Sequence, residues 1–457
     1  MRSHPDVQSS LRKELSDWRP WMTRAVVLTF AVLSGLTVVV FTWLSERAQD
    51  LFHELAAWQW WSPLIWTPLC TAAIVWLTRK FAPGAAGSGI PQVMAALTPG
   101  LGAPVRHVFV SLRLTVAKMV LTAWGLLGGL SLGREGPSVQ IAAGVMHSAR
   151  RWLPQHSGVS DQSLLVAGGA AGIAAAFNTP LGGIMFAIEE LTRRPEQRST
   201  GLIMAAIVLG GLMAVSVYGN GNYFGVIHVN PVSWSLFWPG LLVAVCCGLA
   251  GGLFARLLVV SLSGLGPDRF SAWRRRYPVR FAAVCGLVVA VIGVVSLGAT
   301  FGSGTTTTRA ILEGASHESS VLYMPLKFIA TWLTAWAGVP AGIFAPSLAI
   351  GGGLGHDIAL LTAHPDRTTL IALGMVGFLA AVTQAPMTAF IIVMEMVDGH
   401  ALVLTLMACA LVASGISRLI SAPLYASLAD LQLLRLPEAD RPARDTSGPP
   451  SRFGHHS

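Results

Sequence analysis

The chain has 457 residues, 53% of them hydrophobic and 12% charged, against roughly 25% charged in an average soluble protein. That composition excludes an ordinary soluble enzyme or binding domain and places the chain among polytopic helical membrane proteins. The formal net charge of +9 is not a nucleic-acid footprint, because the basic residues sit in short segments between long apolar runs.

Residues 1–20 mix acidic and basic groups, and Arg12, Lys13, Arg19 and Arg24 precede the first apolar run. No small-residue cleavage site follows that run, so a cleaved signal peptide is not expected. Uncharged runs then recur at Ala25–Ser45, Leu55–Thr78, Gly201–Ile227, Val229–Ala255, Phe281–Thr308 and Phe328–Gly355. Each exceeds the roughly 20 residues that a bilayer-crossing helix needs. Strand-like alternation is absent, which predicts an all-α protein. Arg150–Arg151, Arg193–Arg194, Arg274–Arg276 and the tail after Leu434 punctuate the runs with positive charge, predicting cytoplasmic termini in a cell (inner) membrane. The five cysteines lie in apolar runs, and neither they nor the twelve histidines show metal-ligand spacing. Neither a metal, a cofactor nor a disulfide framework is expected. The fifteen tryptophans suit interfacial belts and contact with lipid.

Three apolar stretches are interrupted by the pattern Gly-x-x-x-Pro: Gly87-Ser88-Gly89-Ile90-Pro91, Gly133-Arg134-Glu135-Gly136-Pro137 and Gly342-Ile343-Phe344-Ala345-Pro346. Proline suits the first helical position and glycine the bend before it, so each pattern predicts a helix that restarts inside the membrane. The unpaired N–H groups and dipole at such a start can hold an anion without a full positive charge. Partial charges also release what they bind. Taken singly, each motif could be a kink or a packing glycine. Three together argue for a conduction path.

Glu135 is an ionisable residue in apolar sequence, which makes it a functional candidate, and Arg134 beside it is expected to pair with backbone or carboxylate. In FAIEEL, Glu189 and Glu190 are adjacent carboxylates. On their own, Ser88 reads as a cap or packing residue and Tyr425, in APLYASL, as an interfacial anchor. The segment 435–457 is rich in Pro, Arg and Ser and is expected to be a disordered cytoplasmic tail.

The chain repeats itself. Shifted by 209, Lys118 falls on Lys327, Gly133 on Gly342, Pro137 on Pro346, Ser138 on Ser347, Ile141 on Ile350 and Gly144 on Gly353; shifted by 206, Pro180 falls on Pro386 and Glu189 on Glu395. This predicts two membrane repeats, 21–225 and 226–434, with a substrate site near the midplane where they meet. Lys118 and Lys327 are repeat-related and therefore expected to be structural, neutralising a buried carboxylate or a helix end. Glu189 shares that logic, whereas Glu190 is matched by Met396, the asymmetry that a one-sided proton path requires.

In order, GSGIP at 87–91, GREGP at 133–137, GIFAP at 342–346 and Tyr425 resemble the signature elements of the CLC family of chloride channels and chloride/proton antiporters. The resemblance covers about residues 20–435. It implies about eighteen helices of uneven length in two inverted halves, a first helix near Asp6–Trp18 on the cytoplasmic side, and a homodimer with one ion pathway per subunit. By the same resemblance, the Ser88 and Tyr425 hydroxyls and the backbone N–H groups of Ile343 and Phe344 would bind chloride. Glu135 would be the gate, framed by Gly133, Gly136 and Pro137, and Glu190 the internal proton relay. Gln92 stands where many relatives have glutamate, which touches the inner proton route. Fluoride-selective relatives typically replace the serine and the tyrosine; both remain here, pointing to chloride. Presence of both glutamates favours an antiporter over a passive channel. An intramembrane serine hydrolase using Ser88 with a base such as His107 lacks a recognisable motif, and a mere scaffold would not need broken helices and a carboxylate at depth.

Overall fold

The computed structural model describes residues 18–155, 157–192, 200–219, 224, 234–264, 266, 268–314, 321–397 and 400–441. The helix expected near Asp6–Trp18 lies outside these residues except for Trp18 itself, as does the tail from 442 onward. Residues 435–441 fold back: Arg435 donates to Leu262 O at 2.8 Å, and Arg441 donates to Leu434 O at 2.9 Å.

The first half contains α1 (Trp18–Trp58), α2 (Ser62–Phe81), α3 (Ile90–Ala96), α4 (Ala103–Phe109), α5 (Leu112–Leu127), α6 (Glu135–Ser148), α7 (Asp161–Phe177), α8 (Pro180–Phe186), which widens into a π turn at Ala187–Leu191, and α9 (Thr200–Tyr218). The second contains α10 (Phe237–Ser263), α11 (Arg269–Arg276), α12 (Pro278–Val295), α13 (Thr305–Leu312), α14 (Tyr323–Ala337), α15 (Phe344–Leu361), α16 (Arg367–Thr383), α17 (Pro386–Val397), α18 (Val403–Ile420) and α19 (Leu424–Leu434). Among the described residues the only β pairing is one antiparallel bridge, Gly133 with Gly342. Seven helical segments among the described residues are long and apolar enough to cross a membrane, so the protein is a multi-pass, all-α membrane protein.

Three of the apolar runs are broken rather than continuous. Leu55–Thr78 is divided between the end of α1 and the start of α2. Phe281–Thr308 stops as α12 at Val295, and Phe328–Gly355 is split between α14 and α15. Glycines with positive φ make the last two breaks: Gly298 (89°), Gly302 (64°) and Gly304 (85°) in one, Gly338 (89°) in the other. An uncharged run does not register these breaks, because glycine carries no charge to interrupt it. The restarting helices also begin earlier than the sequence pattern suggests. Pro91 is the second residue of α3, and Pro137 and Pro346 are the third residues of α6 and α15. Proline is tolerated there because first-turn N–H groups have no intrahelical acceptor in any case.

The repeat is visible in how helices end. Ser160 caps α7 by accepting from Ser163 N at 3.0 Å, and its counterpart Asp366 caps α16 by accepting from Thr369 N at 3.3 Å. Asn178 and Gln384, again equivalent, close the two helices in the left-handed conformation, with φ of 58° and 59°. Capping chemistry differs while geometry is kept. The α6–α7 and α15–α16 pairs pack backbone to backbone at glycines: a Cβ on Gly168 would strike Ala142 and Ala143, and one on its counterpart Gly374 would strike Gly351 and Gly355. Small residues let apolar helices associate in lipid, where the hydrophobic effect gives no drive.

Candidate functional site

Gly133 N donates to Gly342 O at 2.7 Å and Gly342 N to Gly133 O at 3.0 Å, which joins the two halves immediately before α6 and α15. Both residues must be glycine at this approach, since a Cβ on Gly342 would lie 2.6 Å from Gly133 O and one on Gly133 would strike the Glu135 carboxylate and, at 2.9 Å, Pro346. The bridge sets the two helix starts side by side. The first-turn N–H groups of both therefore open on one region, without intrahelical acceptors.

Glu135 is fully buried and its carboxylate lies in that region, folded back toward Gly133. The N–H groups of Arg134, Glu135 and Ala345 surround it, yet neither carboxylate oxygen makes a hydrogen bond of acceptable geometry. Ile343 and Phe344, at the start of α15, are buried, and the Phe344 ring packs on Phe177 with centroids 5.4 Å apart. Arg134 donates to Glu46 Oε1 at 2.8 Å and to Thr42 O at 3.3 Å, both on α1.

Ser88 approaches from the loop before α3 and Tyr425 from the first turn of α19. They are 7% and 1% exposed, their hydroxyls lie side by side, and neither hydroxyl has a hydrogen-bond partner. Two buried orphaned hydroxyls at one point are costly unless something polar joins them. Gly136 presses on Ser88: a Cβ there would collide with the Ser88 hydroxyl. The loop carrying Ser88 is fixed at three points. Gly87 N donates to Val339 O and Ala341 N to Gly87 O, both at 3.2 Å. Gln92 accepts from Gly89 N at 2.9 Å and donates to Ala86 O. Lys118 Nζ donates to Ala85 O at 2.8 Å and Gly87 O at 2.5 Å.

Lys327 repeats the last contact, with Nζ donating to Thr300 O at 2.9 Å and Gly302 O at 2.8 Å. Neither lysine meets a carboxylate, but Lys118 does meet a helix end, the last carbonyl of the short 3-10 turn Pro83–Ala85. Each braces the carbonyls of a bent loop, and the second loop is Gly302-Ser303-Gly304. Its glycines, like Gly87 and Gly89, have positive φ, and it precedes α13 as the first precedes α3. Sequence reasoning missed this copy because its offset is 302 − 87 = 215 rather than 209; a self-comparison that allowed the shift to vary would have found it.

The adjacent glutamates differ in their surroundings. The Glu189 carboxylate accepts from Met387 N at 3.2 Å and Thr388 N at 2.6 Å, at the start of α17. Glu190 instead lines a cavity of about 480 Å³ bounded by Met94, Gln162, Met204 and Asp430, and its charge reaches the Tyr425 hydroxyl, as does that of Glu135. Tyr425 is thus within electrostatic range of both carboxylates. Among the described residues no cluster of three or more His, Cys, Asp or Glu could hold a metal.

Residues 70–418 match the family described as voltage gated chloride channel. The "H(+)/Cl(-) exchange transporter ClcA" of Salmonella paratyphi A is 29% identical over 472 aligned positions, covering 98% of this chain and 96% of its own length. A structure titled as a slow cyanobacterial Cl-/H+ antiporter superposes with a TM-score of 0.77 at 24% identity, covering 91% of this chain and 98% of that one. A eukaryotic CLC transporter gives 0.74 at 20% identity, with 90% and 74% covered, and a CLC-type fluoride/proton antiporter 0.71 at 21%, with 89% and 97% covered. At these identities the structures speak for the fold alone.

Proposed function

The chain belongs to the voltage gated chloride channel family, and from that premise we propose that it exchanges chloride for protons across the membrane, with Glu135 as gate and Glu190 as internal proton relay. One observation carries this reading. The Glu135 carboxylate occupies the place where the α6 and α15 starts direct their free N–H groups, which is where an anion would otherwise sit. Carboxylate and chloride compete for that place. Ser88, Tyr425 and the N–H groups of Ile343 and Phe344 form the chloride site beneath it.

Proton coupling needs a second titratable group with solvent access, and Glu190 on its cavity supplies it. A passive channel has no use for that residue. The fluoride-transporting relative is no guide to this chain's ion: its likeness is one of fold, and the paired hydroxyls of Ser88 and Tyr425 favour chloride. The name of the Salmonella relative, an H(+)/Cl(-) exchange transporter, agrees with antiport. A serine hydrolase would place a base against Ser88, whose hydroxyl has no hydrogen-bond partner.

The reading also takes 21–225 and 226–434 as the two inverted repeats, both termini as cytoplasmic in the cell (inner) membrane, and the assembly as a homodimer with one pathway in each subunit. Only chloride, protons, a second copy and the bilayer are required as partners. The experiment that tests the whole is a chloride gradient imposed across liposomes holding the pure protein: uphill proton movement is expected, and chloride flux without it would leave a passive channel.

A further inference from the structure

Three arginines meet on the face where the Glu190 cavity lies, and the exchange reading uses none of them. Helix α10 ends at Ser263, and its last carbonyls have no intrahelical partner. Arg274, in the last turn of α11, donates to Ser261 O at 3.2 Å, and Arg435, just past α19, donates to Leu262 O at 2.8 Å. Their guanidiniums therefore sit on consecutive carbonyls. Arg79, in the last turn of α2, brings its charge within range of both. Leu433, two residues before Arg435, lines the Glu190 cavity, which fixes the face.

Capping of α10 does not account for three cations. A guanidinium carries several N–H donors; one carbonyl takes one donor from Arg274 and another takes one from Arg435. The Arg79 side chain has no hydrogen-bond partner among the described residues. None of the three is ion-paired with a carboxylate among the described residues. Asp268, the acidic residue of this segment, is taken up at the far end of α11, where it accepts from Ser271 N at 2.8 Å. Burial, and after it the neighbouring Arg435 charge, pulls the Arg274 guanidinium down to about 10. Like charges gathered without a counter-ion cost stability, and a bound anion removes that cost.

The surface beside the cluster belongs to the bilayer. Arg274 stands just before the start of α12, a helix long and apolar enough to span, and α12 packs closely on α2: a Cβ on Gly286 would strike Thr71. Val284, Leu287 and Val291 are exposed along α12, and their spacing puts them on one stripe, which in a spanning helix meets acyl chains. Arg280, in the first turn, lies 5.2 Å over the Tyr277 ring, an aromatic and cationic pair suited to headgroup level. A guanidinium fork matches the oxygens of a phosphate, and basic clusters beside spanning helices take anionic headgroups. We infer that Arg79, Arg274 and Arg435 hold the phosphate of an anionic phospholipid whose chains lie along the exposed stripe of α12. Its assignment to the cytoplasmic leaflet rests on the topology proposed above; the binding does not. Arg274 also lies against the turn that leads to Ile343, 3.6 Å from where a Cβ on Gly338 would stand, and Arg435 follows the helix of Tyr425. The headgroup thus ties together two segments that carry the central site.

The probe is phosphatidylglycerol, set against zwitterionic phosphatidylcholine, on the full chain purified in detergent. Native mass spectrometry should show phosphatidylglycerol retained in preference, and added phosphatidylglycerol should raise the unfolding temperature, as a ligand of the folded state does. Arg79→Gln, which breaks no hydrogen bond, should weaken retention by about fivefold, the effect of one arginine at an anionic surface. Arg274→Gln with Arg435→Gln, each keeping a donor for its carbonyl, should weaken it further. Equal retention of the two lipids by the unaltered protein would overturn the inference. So would a preference for phosphatidylglycerol that survives unchanged in Arg79→Gln or in the folded double variant. Inorganic phosphate tests for a soluble source: if it displaced the lipid and raised the unfolding temperature as much, the site would belong to a free phosphate and the lipid assignment would fall. Phosphatidylglycerol bound in this way to a protein that exchanges no ions would sink the exchange reading and leave the lipid site standing.

Discussion

Glu189 and Glu395 exchange caps across the two halves. Glu189 accepts the N–H groups of Met387 and Thr388 at the start of α17, and Glu395 accepts those of Leu181 at 3.1 Å and Gly182 at 2.7 Å at the start of α8. Each carboxylate satisfies orphan donors and meets the positive end of the opposite half's helix. Glu189→Gln and Glu395→Gln keep an acceptor and lose the charge, so each should cost about 1 kcal/mol. The two losses should add, because the caps sit at different helices. Thermal unfolding in detergent reads the cost, and proton coupling in liposomes should persist in both variants; lost coupling in Glu189→Gln with unchanged stability would give Glu189 the relay's role.

Chloride selectivity is expected to rest on the two orphaned hydroxyls. Tyr425→Phe and Ser88→Ala each remove one donor to a dehydrated anion, worth roughly 1.5–3 kcal/mol for a charged partner. Calorimetry should show chloride binding weakened by about ten- to a hundredfold and discrimination among halides blurred. Unchanged binding in Tyr425→Phe would place the central ion elsewhere.

Gln92 holds the Ser88 loop without touching the ion, so its effect on chloride should be indirect. Gln92→Ala frees Gly89 N and Ala86 O, which Gln92 now joins, and should lower chloride affinity together with stability. Gln92→Glu keeps the acceptor for Gly89 N and sets a carboxylate against the Ala86 carbonyl, so it should bind chloride less well as pH rises through the titration of that carboxyl. A chloride affinity of Gln92→Glu that matches the parent at every pH would show that the loop does not need the amide.

Much of the site can be read from the chain because its parts are local. A glycine that lets backbones meet, a proline in a first turn and a carboxylate in apolar sequence each carry their physics within five residues, as in GREGP. The pairing of Gly133 with Gly342 was legible as a repeat, though not as a hydrogen-bonded bridge, since self-comparison gives equivalence and not contact. Lys118 and Lys327 show the limit in another way. Their equivalence marked them as structural, but backbone carbonyls have no residue identity and leave no mark in a sequence. The unmatched hydroxyls of Thr42 and Ser45 were hidden for a related reason: a hydroxyl inside an apolar helix ordinarily bonds its own backbone, as Thr37 does to Leu33 O at 2.7 Å, and only packing shows which ones do not.

Coupling should fail selectively at Glu190. Glu190→Gln keeps the shape of the side chain and cannot carry a proton, so chloride flux should continue while proton movement stops. Proton pumping that survived in this variant would move the relay to another group on the same cavity, and Asp430, also on its lining, would be the next to remove.

Glu135 should lose both gating and coupling when its charge is removed. Its carboxylate is held by the helix starts of α6 and α15 without a well-formed hydrogen bond, so it is bound by electrostatics more than by geometry. Protonation cancels the charge that those N–H groups attract and leaves a neutral group with little reason to stay. Chloride can then take the vacated place, and the proton travels with the side chain. Acid should therefore speed exchange in the unaltered protein, because it populates the neutral, displaced side chain. Glu135→Gln imitates that state at every pH. It should pass chloride at a rate that no longer varies with pH and should move no protons, whereas Glu135→Asp, one methylene shorter, should keep a pH response with a poorer fit to the anion place. Paired chloride and proton fluxes between about pH 4 and pH 8, a range spanning ordinary carboxylate titration, decide the matter: proton-coupled, pH-sensitive exchange by Glu135→Gln would mean that some other group competes with the ion, and the side-by-side helix starts would then be an anion site without a gate.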